Sequence, residues 1–276
     1  MNKSVFLKTA AVIATLVLTF LSLCACAGKN NATGGKDLPK LIIGVDYYEP
    51  FVYRDEDGEF AGIDVDLAKE ACRLIGYEPE FVHIEWSEKN AYLAEGKIDC
   101  VWCCFSETGR EDEYSWTLPY MNSRQVVAVK KDSDITKISD LENKRVAVQS
   151  TTKADEIFSG KAGVEKLVVP QLKELNCFPN VNFLFAAING GYVDAVAGHE
   201  LVLIECMKSS STELKILEEP LLEVKIGVAF LKDTRADAVS ALSETFKLLK
   251  NNGYLADLIA AYGLDPDKYV VNYEEL

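Results

Sequence analysis

The stretch Ile42–Lys69, IIGVDYYEPFVYRDEDGEFAGIDVDLAK, constrains this chain more than any other. A short apolar strand over Leu41–Val45 runs into Asp46, Tyr47 and Tyr48, then Pro50-Phe51. A hairpin follows, setting Phe51-Val52-Tyr53 against Glu59-Phe60-Ala61 around Asp57-Gly58, a dipeptide suited to a tight turn. A helix starts near Asp64. In α/β sheets, ligands sit beyond the carboxyl ends of strands. Asp46 and Tyr48 thus stand where a small molecule would be held; the competing reading of the tyrosines is ordinary packing at a rim.

The N-terminus reads as an export signal over residues 1–25. Lys3 and Lys8 precede an uncharged apolar run, Thr9–Leu23, and small residues surround the expected cut. Leu23-Cys24-Ala25-Cys26 resembles a bacterial lipobox, with cleavage before Cys26 and the lipid on that cysteine. Plain secretion and a retained anchor are the alternatives. Residues 26–37, which include KNNATGGK, form a polar, glycine-containing tether. No later stretch is long and apolar enough to span a bilayer. The body from Leu38 onward exceeds one minimal core and suits two lobes.

Charge narrows the partners. The chain carries 43 acidic against 29 basic residues, a formal charge of −14. Phosphate binding is driven by Lys and Arg, so nucleic acid is disfavoured, as is a polybasic membrane patch. Beyond Cys26 lie Cys72, Cys100, Cys103, Cys104, Cys177 and Cys206, scattered in mostly apolar contexts, which reads as small buried thiols. A Cys177–Cys206 disulfide stays open. His83 and His199 are the two histidines, and neither neighbours a cysteine cluster, so no metal is expected.

Helical and strand patterns alternate, which points to an α/β fold. Strands are expected at Glu80–Ile84, Ile98–Trp102, Arg124–Lys130, Arg145–Val148, Leu167–Val169, Val193–Ala197 and Val224–Phe230. Helices are expected over Asp64–Leu74, Ala91–Glu95, from Ala154, and over Glu200–Met207, Ala236–Leu249 and Tyr254–Tyr262.

Several short motifs recur in a telling order: G-x-D-x-D-L-A (Gly62–Ala68), G-K-I-D (Gly96–Asp99) and F-S-x-T-G-R (Phe105–Arg110). Pro119-Tyr120, the run Asp140–Gln149, Asp194-Ala195 and N-G-Y-x-x-x-L-x-x-x-Y-G (Asn252–Gly263) follow. Together they resemble the family 3 solute-binding proteins, receptors of polar amino-acid ABC importers. The resemblance implies a two-lobed, type II periplasmic-binding-protein-like fold. Lobe 1 would be 38–122 plus 225–276 and lobe 2 would be 123–224, joined by crossings near Met121–Gln125 and Leu222–Ile226. It implies hinge closure on a small carboxylate, most often a polar amino acid, a membrane permease as partner, a lipid-anchored extracytoplasmic monomer, no cofactor and no catalysis. A dehydratase of cyclic carboxylates on the same fold and an extracellular sensor module are the rival functions.

Within that frame Arg110 is the leading candidate, because a guanidinium offers a planar fork matching a carboxylate. Ser106 and Thr108 would add donors, and Cys104 lies on the segment entering the site. The rival role of Arg110 is an ion pair with Glu111 or Asp112. Tyr48 and Trp86 match positions that flank the ligand side chain, with lobe packing the alternative for Trp86. Asp46 either meets a cationic group or accepts a turn hydrogen bond. Thr151 and Thr152 either cradle an anion or cap a helix, with Lys153 beside them. The family's usual ammonium-binding Asp falls on His199 here, which leaves Glu200 or a ligand without an amine.

Overall fold

The computed structural model describes residues 38–164 and 168–275. The segments expected as export signal and tether, with Cys26, fall outside the described residues. In chain order the strands are Lys40–Val45 (β1), Tyr53–Arg54 (β2), Phe60–Ala61 (β3), Glu78–His83 (β4), Cys100–Val101 (β5), Tyr114–Trp116 (β6) and Met121–Lys130 (β7). They continue with Arg145–Gln149 (β8), Glu174–Phe178 (β9), Ala195–His199 (β10), Leu214–Ile216 (β11), Leu222–Ile226 (β12) and Ala229–Leu231 (β13).

These strands build two principal sheets. The first has the order β4-β1-β5-β13-β6 and the second β11-β7-β10-β8-β9, while β2 and β3 form the small hairpin expected around Gly58. In the first sheet β1 runs parallel to β4 and β5, and β13 returns antiparallel between β5 and β6. This is the two-lobed α/β architecture that the motifs imply. β7 is long enough to serve two partners on one edge: Met121–Gln125 pairs with β12, and Ala128–Lys130 pairs with β11. The β7–β12 pairing spans the two segments expected as crossings, Met121–Gln125 and Leu222–Ile226.

Side-chain alternation explains why the second sheet is buried on both faces. In β7, Val127 and Val129 face one apolar cluster together with Val146, Val148, Ala195 and Ala197. Val126 and Ala128 point the other way, into the larger cluster with Ala147 and Val196. This is the period-two geometry of a strand, and it gives near-continuous apolar runs where both faces are covered.

The helix Ile63–Ile75 follows the hairpin as the sequence requires. Val65, Leu67, Ala68, Ala71 and Cys72 are buried, Asp64 and Asp66 sit in its positive first turn, and Gly76 ends it in the left-handed region. Gly62, with φ 124°, has to be glycine: a Cβ there would lie 2.2 Å from the Phe51 carbonyl oxygen.

The structure departs from the sequence reading at one strand, adds one helix and settles one open disulfide. No strand includes Val168 or Val169; Val168 is 86% exposed, and Pro170 next door cannot donate to a ladder. The strand alongside β8 is β9, ELNCF, whose partly exposed edge position hides its alternation. The helix Val181–Asn189 was not anticipated; Val181, Leu184, Phe185, Ala187 and Ile188 form its buried face, but its run lacks a clean polar face because the apolar Phe183 and Ala186 stand on the exposed side. Cys177 and Cys206 are both free thiols, which removes the disulfide. Among the described residues there is no metal-holding cluster, and no helix is long and apolar enough to cross a membrane.

Candidate ligand-binding site

The carboxyl ends of β1, β5, β8 and β10 converge on a small cavity, whose atom-free space of about 310 Å³ includes open solvent at its mouth. From the side of the first sheet it is lined by Asp46, Tyr48, Trp86, Cys103, Cys104, Phe105, Ser106 and Arg110. From the second come Gln149, Thr152, Lys153 and His199. The wall is therefore complete only when both halves meet. The backbones touch beside it: a Cβ on Gly109 would lie 2.1 Å from the Ala162 carbonyl oxygen, and one on Gly163 2.2 Å from that of Gly109.

Arg110 is 3% exposed. Its partner is neither Glu111 nor Asp112 but Glu156, from the helix Lys153–Phe158 on the opposite half. Arg110 Nε and Nη2 donate to Glu156 Oε1 at 2.8 and 2.5 Å, and Nη1 donates to the Ser106 carbonyl oxygen at 3.1 Å. Lys153, only 1% exposed, holds the other oxygen of that carboxylate, Oε2, at 2.5 Å. Burial and the neighbouring Arg110 charge lower the Lys153 pKa.

The main-chain oxygen of Thr151 gathers three donors from the first half: Trp86 Nε1 at 3.3 Å, Lys89 Nζ at 3.3 Å and Arg110 Nη2 at 3.5 Å. Lys89 also bonds Thr151 Oγ1 at 3.0 Å. Thr151 has φ 58°, a left-handed conformation that a β-branched residue adopts only when its surroundings impose it. Lys89 escaped the sequence reading. It is buried with no carboxylate partner among the described residues, and burial, then Arg110, bring its pKa down to about 8. Nothing in the local pattern marks it, since a lysine opening a short helix normally faces water.

Other positions fall on one side or the other of their alternatives. Thr152 donates its hydroxyl to the Gln149 carbonyl oxygen at 2.7 Å and caps the helix from its place in the cavity wall. Asp46 accepts the Tyr47 N–H at 2.8 Å, as a turn acceptor would, and also the Gln149 amide at 3.0 Å from across the cleft. Gln149 is a further residue the sequence reading passed over, although it ends the VAVQ strand at the carboxyl edge. Thr108 faces away and accepts the Lys225 N–H at 3.0 Å. Glu200 turns out of the cavity to Arg124 and Lys268, because the first turn of its helix directs it toward Tyr269. It is therefore not placed to replace the missing aspartate. Thr151, Thr108 and Glu200 do not line the cavity.

His199 is fully enclosed, Nε2 3.2 Å from Ser106 Oγ and Nδ1 3.0 Å from Ser123 Oγ. Burial first, and the Arg110 charge second, pull its pKa from 6.5 to about 3. Burial keeps it a neutral imidazole near neutral pH. The unfolded chain protonates it near about 6.5, so its share of stability is intact above that pH and is lost as pH falls toward 3. Asp64 and Glu107, both raised by burial to about 7, push stability the other way in that window. Their effects cancel in a comparison of wild type with His199→Gln. Urea melts at about pH 7 and pH 4.5 are expected to show the wild-type advantage shrinking by about 3 kcal/mol; an unchanged gap contradicts the buried neutral ring. Burial raises the pKa of the Cys103 and Cys104 thiols, which disfavours the reactive thiolate at both.

Residues 41–265 match the bacterial extracellular solute-binding proteins, family 3. The chain belongs to this family. Among family relatives, the histidine-binding periplasmic protein of Salmonella typhimurium is 29% identical over 95% of this chain and 99% of its own length. The L-cystine-binding protein TcyA of Bacillus subtilis is 26% identical over 91% of this chain and 96% of its own. In fold, the chain resembles an ABC uptake transporter substrate-binding protein from Streptococcus pneumoniae crystallised with histidine, with a TM-score of 0.73 at 24% identity, covering 82% and 93% of the two chains.

Proposed function

We propose that this family 3 protein is the substrate-binding receptor of an amino-acid ABC importer, capturing a small carboxylate of the polar amino-acid class and releasing it unchanged. One observation carries the reading: a cavity whose wall is shared between two sheets, with a buried guanidinium on one side and a buried ammonium on the other. Such a site holds a molecule only while the halves are together, as expected of capture by hinge closure. The names of the relatives, which bind histidine and cystine, support the ligand class.

In this reading Arg110 grips the ligand carboxylate with Ser106 beside it, and Tyr48 and Trp86 flank the side chain. Asp46, at the far wall, receives a polar or cationic end. The chain works as one copy, since a single chain completes the cavity, and lobe 1 comprises 38–122 with 225–276 and lobe 2 comprises 123–224. The dehydratase alternative would need an acid/base pair in the cavity; His199 stays neutral and Glu200 is held elsewhere by Arg124 and Lys268.

A thermal-shift screen of L-amino acids and small organic acids tests the function. A true ligand at a hundredfold excess over its Kd stabilises by about 2.7 kcal/mol, and a flat screen contradicts it. Anchoring through Cys26 rests on the lipobox-like Leu23–Cys26. Cys26→Ser is expected to move the protein from the membrane fraction to the soluble one; equal partitioning of the two proteins removes the anchor.

A further inference from the structure

Glu156 has no part in the reading above, yet it holds the fork that a ligand carboxylate would need. The two oxygens of its carboxylate are divided: Oε1 takes Arg110 Nε and Nη2, and Oε2 takes Lys153 Nζ. Arg110 and Lys153 come from opposite halves, and their side chains are 2% and 0% exposed while that of Glu156 is 21% exposed. The buried cations are thus neutralised by a carboxylate that reaches in from the edge. Arg110 and Lys153, with Lys89 nearby, would otherwise repel one another across the cleft; burial first and the Arg110 charge second lower the pKa of both lysines.

We propose that Glu156 is an internal competitor for the ligand carboxylate: it occupies the Arg110 fork in the empty closed protein and swings off Arg110, keeping Lys153, when a ligand arrives. The divided oxygens make the exchange economical. Leaving Arg110 does not strip the Glu156 charge of its other partner, and the incoming carboxylate takes over the same two N–H groups. Glu156 thereby sets affinity and favours ligands whose carboxylate outcompetes it, and it lets the halves close when empty. The affinity part rests on the proposed carboxylate-binding function; the part concerning the empty protein does not.

Two measurements on wild type and Glu156→Gln separate these. In the ligand-free protein, phenylglyoxal labelling read by peptide mass spectrometry reports whether Arg110 is covered, with exposed Arg73 as the internal reference. Arg110 is expected to label at least tenfold faster in Glu156→Gln while Arg73 is unchanged; equal Arg110 rates overturn the proposal. Calorimetric titration with L-histidine, L-arginine and L-glutamine, each beside its carboxamide, reads the competition. Any acid that binds is expected to bind about tenfold or more tightly to Glu156→Gln, with its carboxamide within twofold. Weaker binding of the acid makes Glu156 a direct ligand contact and overturns the competitor role. If no compound binds either protein, the amino-acid reading falls and the labelling result alone decides whether Glu156 closes the empty cleft. Circular dichroism melts confirm that the variant is folded, and Glu156→Ala, expected to behave as the glutamine variant does, guards against a residual amide contact with Arg110.

Discussion

Replacing Arg110 with alanine is expected to weaken ligand binding by about 2–5 kcal/mol, which is roughly thirtyfold to several thousandfold in Kd. The magnitude follows from burial. The guanidinium is 3% exposed and anchored to the Ser106 carbonyl oxygen, with its ring-facing side 5.0 Å from the centroid of Phe105. It is thus oriented before any ligand arrives, and the ordering cost of a flexible side chain is not incurred on binding. Arg110→Lys keeps a charge but not the planar fork, so it is expected to recover only part of the loss. Calorimetric titration of both variants with the strongest amino acid from the screen checks this. Alanine within a few-fold of wild type would place the carboxylate somewhere other than Arg110.

The second large effect lies behind the site. Asp64, in the first turn of the helix Ile63–Ile75, is 1% exposed. Its Oδ2 accepts the Cys104 N–H at 2.6 Å and its Oδ1 accepts the Tyr120 hydroxyl at 2.7 Å. Cys104 has φ 47°, so this bond fixes the turn that delivers Phe105 and Ser106 to the cavity. Asp64→Ala strands a buried N–H and a buried hydroxyl, each costing about 1–3 kcal/mol, and is expected to lower the melting temperature on the order of 5–20 °C. Asp64→Asn retains an acceptor for Cys104 and presents an amide to the Tyr120 oxygen, so it is expected to keep most of the stability. A thermal melt in which alanine and asparagine behave alike would contradict this role for Asp64.

Much of the fold was visible in the sequence because its signals are local. The strand into Asp46, the turn at Gly58 and the helix ended by Gly76 each depend on residues within a few positions of one another. The apolar runs of β7, β8 and β10 announce strands covered on both faces. The edge strand β9 was missed because its partial exposure hides the alternation, and the helix Val181–Asn189 because its exposed face carries the apolar Phe183 and Ala186. Among site residues, Asp46, Tyr48, Trp86, Ser106, Arg110 and His199 occupy strand ends or motif positions and do meet at the cavity. Lys89, Gln149 and Glu156 did not stand out, because their roles exist only across the cleft: each is defined by a partner 62, 103 or 46 positions away. Glu200 was misplaced for the complementary reason. Its proximity to His199 in sequence says nothing about which way the first turn of a helix sends a side chain.

The most direct measurement is a calorimetric titration of the purified body with the amino-acid panel, followed by mass spectrometry of the ligand recovered from the protein. Capture between two closing halves predicts saturable one-to-one binding by at least one amino acid, with the recovered molecule identical to the one added. An absence of binding across the panel, or a recovered ligand of altered mass, contradicts it.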